Sequence, residues 1–101
     1  MAGYTPLCPA EALRPGEARA FDVAGRRIAL FRTATGYHAT DDTCLHAGGP
    51  LHEGTLDGTT ITCPWHQWQF DVRDGSCRLN PYQRLDVYPV RVREEMLEVL
   101  L

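Results

Sequence analysis

The chain contains no lysine; all ten basic residues are arginine, set against 13 acidic ones for a formal net charge of -3. The arginine habit carries no functional weight, but the lack of basic excess argues against nucleic acid as the main partner. The scattered acids (Asp41, Asp42, Glu53, Asp57, Asp71, Asp74 and Asp86) suit a soluble protein that meets a basic surface. Long apolar runs are also missing. Nothing approaches the ~18 apolar residues of a membrane span, and the opening MAGYTPLCPAEALRPGEARAF lacks a charged start followed by an apolar run of signal-peptide length. The expectation is therefore a cytoplasmic protein with no membrane contact. No repeat, low-complexity tract or Gly-rich phosphate loop is evident, and no nucleophile–base pair suggests an enzyme. With 101 residues there is room for one small domain, 1–101.

What is present is a series of short strand-like segments punctuated by turns. EARAFDV, RRIALFRT and YHAT are separated by Ala24-Gly25 and Ala34-Thr35-Gly36 and predict two hairpins. TTITC and WQFDV predict further strands. LDVYPVRV and MLEVLL predict a closing hairpin, the latter with a helical turn as alternative. EALRPG suits one helical turn stopped by Pro15. Asp41 to Gly54 has no period and is rich in Gly, Asp and His, so it reads as a loop. Many short strands with Gly and Pro turns imply an all-β antiparallel sandwich or small barrel.

Four cysteines in a reducing compartment are more often metal ligands or buried apolar groups than disulfides. Two of them stand beside histidines: Cys44-Leu45-His46 and, sixteen residues later, Cys63-Pro64-Trp65-His66. Three readings are open. Each pair could be a buried thiol next to a core histidine. The four could form a structural zinc site, although zinc modules usually group like ligands whereas each loop here offers one of each. Alternating ligands suit a binuclear cluster, each loop giving a cysteine to one iron and a histidine to the other.

The C-x-H, sixteen residues, C-x-x-H pattern, followed by an aromatic, F-D and D-G, resembles the Rieske iron-sulfur family, most closely its soluble ferredoxins. The resemblance runs from about Pro9 to the end. It implies a Rieske-type sandwich with a small cluster-binding subdomain made of two loops, at about 41–54 and 63–76. It also implies one 2Fe-2S cluster with Cys44 and Cys63 on the inner iron and His46 and His66 on the outer one. Two ferric ions, two sulfides and two thiolates sum to zero charge with neutral imidazoles, so adding an electron costs less than in an all-thiolate site.

The family's high-potential members carry a further cysteine in each loop, forming a disulfide over the cluster, and a serine and a tyrosine after the second loop. The matching positions here are Gly49 and Trp65, and Trp68 and Phe70. Without clamp or hydroxyl donors, a low-potential cluster is expected. The resemblance implies a non-enzymatic one-electron carrier, expected to be a monomer, between a flavin-containing reductase and a terminal oxygenase. The alternatives are the small subunit of a nitrite reductase or similar enzyme and, in a different class, a zinc-stabilised interaction module. Gly48 and Gly49 suit positive φ and close approach of backbone N–H groups, and Pro50 a stiff exit. Trp65 and Trp68 are expected to shield the cluster or join the core. Cys8 and Cys77 are expected to be buried or free thiols, His38 and His52 surface or turn residues, and Asp71–Gly75 a turn. Gln67 stands where the family usually has glycine, without evident reason.

Overall fold

The computed structural model describes residues 3–45, 48–65 and 67–101. Among the described residues, ten strands form three antiparallel sheets. The middle sheet has the order β2 (Ala18–Val23), β3 (Arg26–Arg32), β4 (Tyr37–Asp41), β8 (Val87–Tyr88). On one side lies β1 (Tyr4–Pro9), β10 (Met96–Leu100), β9 (Val90–Arg93). On the other lies the smaller sheet β5 (Thr55–Asp57), β6 (Thr60–Thr62), β7 (Gln69–Asp71). Short 3-10 turns occupy Ala10–Ala12 and Leu51–Glu53.

The reason for three layers is written in β3. Its run Ile28-Ala29-Leu30-Phe31 is wholly buried at every position, whereas a strand with one wet face would alternate. Successive side chains point to opposite faces. Ile28 and Leu30 join a core with Cys8, Leu13, Leu97 and Val99. Ala29 and Phe31 join a second core with Cys44, Leu51, Ile61, Cys63, Phe70 and Val72. Burying each large side chain contributes about 1.5–3 kcal/mol. β3 is therefore the shared wall between the basal sandwich and the unit that carries the two cysteine loops.

The all-β fold and the hairpins through β2, β3 and β4 follow the sequence pattern. The Ala24-Gly25 turn has both residues at positive φ (51° and 80°), as a two-residue hairpin requires. One expectation is corrected, one alternative is decided in favour of the strand, and two strands are added. LDVYPVRV is not one strand: Pro89 lies between β8, which pairs with β4 through Thr40–Val87 and Ala39–Tyr88, and β9, which pairs with β10 in another sheet. A proline lacks the N–H a continuous ladder needs. MLEVLL is a strand, with Leu97 and Val99 buried and their neighbours half-buried, a period of two that excludes the helical turn. Tyr4–Pro9 and Thr55–Asp57 are strands that the pattern of apolar residues does not announce, the first because of its two prolines and the second because it is only three residues long. Among the described residues no helix is long and apolar enough to cross a membrane.

Candidate metal centre

Cys44 and Cys63 occupy the same backbone frame. Thr43 pairs with Pro50 in an isolated antiparallel bridge, and Thr62 pairs with Gln69 where β6 meets β7. Inside each pair, the cysteine N–H donates to the carbonyl five residues on: Cys44 to Gly49 at 2.9 Å, Cys63 to Trp68 at 2.8 Å. Each cysteine carbonyl accepts from the N–H four residues on: from Gly48 at 2.9 Å and from Gln67 at 3.0 Å. The residue at that fourth position is left-handed in both loops, with φ 75° at Gly48 and 60° at Gln67. The described residues of 43–50 and 62–69 thus share one hydrogen-bonded frame used twice. The doubled Thr-Cys dipeptide is the sequence signal that could have exposed this repeat.

The frame answers the question posed by Gln67. Its position needs φ > 0, which glycine adopts freely and a residue with a Cβ adopts at a cost of about 1–2 kcal/mol. Gln67 supplies the required conformation against its own preference, and its side chain is exposed. Of the two glycines expected at positive φ, only Gly48 has it. Gly49 is needed for a different reason. It is buried, and a Cβ there would lie 3.0 Å from Cys63 Sγ and equally close to Cγ and Cδ2 of Trp65. The backbone of the first loop therefore rests directly on the thiol and indole of the second.

Cys44 and Cys63 are 2 % and 0 % exposed, belong to the same core and are not disulfide-bonded. A depression of about 610 Å³ opens against the first loop, with Cys44, Leu45 and Gly48 on its wall beside Arg26 and Arg27. His46 and His66 lie outside the described residues; among those described, no group of three or more His, Cys, Asp or Glu is placed to hold a metal ion. Two soft thiols in one core, in loops that each also bear an imidazole, are the donor set that suits an iron-sulfur cluster of mixed ligation. The glycine cradle at Gly49 leaves Cys63 Sγ free of a side chain that would crowd it. The residues fit the group.

The two loops are anchored differently. The second is a hairpin connection whose ends are held by the β6–β7 ladder. The first crosses from β4 in the middle sheet to β5 in the small one, and its anchor is Asp42. That carboxylate is buried and accepts from His52 N–H at 2.8 Å and from His52 Nδ1 at 2.9 Å. Arg27 Nε lies 3.7 Å away. The Asp42 main chain donates to Arg27 O and accepts from Leu51 N–H. His52 is accordingly a partly buried anchor rather than a surface residue, a role invisible in sequence because its partner is ten residues away. Leu51 carries the same segment into the core at 0 % exposure.

Other predicted residues find simpler places. Trp68 is partly buried against the core and Phe70 fully buried in it. Trp65 is 58 % exposed and touches Gly49, so it covers rather than fills. Cys77 is a buried thiol of the cluster-side core and Cys8 of the basal one, where burial pushes the thiol pKa up against the opposing pull of Arg19. His38 is a half-buried strand residue rather than a surface or turn residue; desolvation lowers its pKa and favours the neutral ring. Asp71–Gly75 is the expected turn. Asp71 accepts from Arg73, a hydrogen bond that holds its carboxyl below the usual range, and Asp74 accepts from Ser76 N–H.

Residues 3–89 match the Rieske [2Fe-2S] domain family. Ferredoxin CarAc of Metapseudomonas resinovorans is 38% identical over 93 residues, covering 90% of this chain and 87% of that protein. Among solved structures, one chain of the complex of reduced oxygenase and oxidized ferredoxin in carbazole 1,9a-dioxygenase superposes with TM-score 0.88 at 35% identity, covering 95% of this chain and 91% of its own. A Mycobacterium tuberculosis protein assigned as the small subunit of an NADH-dependent nitrite reductase superposes with TM-score 0.92 at 27% identity, covering 100% and 96%.

Proposed function

This chain belongs to the Rieske [2Fe-2S] domain family, and on that premise we propose that it carries single electrons from a flavin-containing reductase to a terminal oxygenase in the cytoplasm. It is an electron-transfer component and not itself a catalyst. Its cofactor is one 2Fe-2S cluster, which we assign to Cys44 and Cys63 on one iron and His46 and His66 on the other. The 101 residues act as one domain, with cluster-binding loops at about 41–54 and 63–76.

The observation that carries the ligand assignment is the repeated frame. It puts a buried thiol at the same position of two loops closed by matching hydrogen bonds and presses one loop against the other at Gly49. When bound, a cluster of this ligation takes up and releases one electron at a potential within roughly -150 to +300 mV. Trp68 and Phe70 bring no hydroxyl to the site, so fewer donors favour the reduced, more negative state, and the potential falls near the low end.

The carrier role follows from the exposed tip of the molecule. Leu45 and Trp65, each lying between the cysteine and histidine of its own loop, are 44 % and 58 % exposed. A partner can therefore approach the loops closely, and scattered acids would steer basic partners toward the molecule. Iron and acid-labile sulfide should each be found at two per chain, with a reduced EPR signal of low mean g. A redox titration should give a midpoint below zero. A colourless protein holding zinc, or a midpoint well above zero, would overturn the corresponding part.

The M. tuberculosis superposition favours one second reading, a permanently bound small subunit of a larger reductase. Purification of the chain alone from its native source supports the shuttle; a stoichiometric large subunit supports the second reading.

A further inference from the structure

Gly49 has two contacts that together join the loops: its carbonyl accepts from Cys44 N–H, and its α-carbon lies against Cys63 Sγ and Trp65. The indole approaches over its Cγ–Cδ2 bond, since a Cβ on Gly49 would be 3.0 Å from both atoms. Trp65 remains 58 % exposed, so a large part of the ring meets solvent while the rest covers the junction of the two loops. An aromatic ring loses little rotamer freedom for the area it covers. No residue of the hydrophobic cores has this placement: Trp65 belongs to neither.

We propose that Trp65 is a positioning residue, a non-covalent strut that holds the second loop onto Gly49 of the first and keeps water from Cys63. The proposal rests on the assignment of Cys44 and Cys63 as cluster ligands. Removing the indole would free the loops to separate and would admit water as a hydrogen-bond donor beside the thiolate, stabilising the reduced state. Both effects are specific to the junction. Gly49→Ala should act in the same direction, because its new Cβ must displace either the indole or the thiol.

The test uses the holoprotein and three variants, Trp65→Ala, Trp65→Phe and Gly49→Ala, with Leu79→Ala as an exposed apolar truncation outside the loops. Loss of visible absorbance under a chelator gives the cluster lifetime, and a redox titration gives the midpoint. We expect Trp65→Ala to shorten the lifetime roughly tenfold, the rate equivalent of one aromatic contact, and to raise the midpoint. Trp65→Phe should restore most of both, Leu79→Ala should change neither, and Gly49→Ala combined with Trp65→Ala should be less than additive. Lifetimes and midpoints equal to wild type in Trp65→Ala would overturn the strut. If that variant does not fold, Trp65→Leu takes its place: a lifetime shorter and a midpoint higher than those of Trp65→Phe sustain the strut, and wild-type values in Trp65→Leu overturn it. Absence of iron from the wild type would overturn the ligand assignment and the strut together.

Discussion

The two cysteine loops share a frame and differ in what holds it. Residues 62–69 hang from paired strands, so the ladder of β6 and β7 closes the loop before any side chain contributes. Residues 43–50 hang between sheets and depend on one buried carboxylate, Asp42, gripping one histidine, His52. The difference extends to the left-handed position, which is glycine in the first loop and glutamine in the second. The loop with the stronger external support tolerates the costlier residue. In sequence the histidines stand at different offsets, two residues after Cys44 but three after Cys63.

The comparison can be broken most severely at the ligands, where the loops should behave alike. Cys44→Ser, Cys63→Ser, His46→Ala and His66→Ala should each abolish cluster assembly, read as iron and sulfide content, while Cys8→Ala and Cys77→Ser keep it. Full iron content in a histidine variant would show that the ligands are others.

The anchors should separate the loops. His52→Ala keeps the main-chain N–H of residue 52 on the buried Asp42 carboxylate but removes its imidazole donor, and should cost about 1–3 kcal/mol in urea unfolding. Amide exchange should quicken at Cys44 and Gly48 but not at Cys63 and Gln67. Equal quickening in both loops would mean that they are one mechanical unit.

The smallest effects test the left-handed position, with opposite signs. Gly48→Ala should lower stability by about 1 kcal/mol. Gln67→Gly should raise it by about 0.5 kcal/mol, the relief of left-handed strain less the added freedom of the unfolded chain. Loss of stability in Gln67→Gly would indicate that the glutamine side chain makes a contact worth more than its backbone strain.

Local chemistry explains what was legible beforehand. The Cys and His spacing, and the short runs punctuated by Gly turns through Ala18–Asp41, are properties of neighbours in sequence, and they lead to the ligand candidates and the middle sheet. The Asp42–His52 grip, the seat of Trp65 on Gly49 and the change of sheet at Pro89 bring distant residues together, and no period or motif records such meetings. Gln67 was conspicuous as a departure from the family pattern; only its φ gave the departure a physical meaning. The repeated frame lay in plain view as Thr43-Cys44 and Thr62-Cys63, masked because the residues between differ almost completely.

β3 imposes a limit on how the molecule could be dismantled. Alternate side chains of one strand belong to opposite cores, so no cut in the backbone can give each core its own copy of that wall. A minimal cluster carrier could not be obtained by trimming away the basal sheets; it would need a substitute strand whose inner face copies Ala29 and Phe31 and whose outer face is made polar.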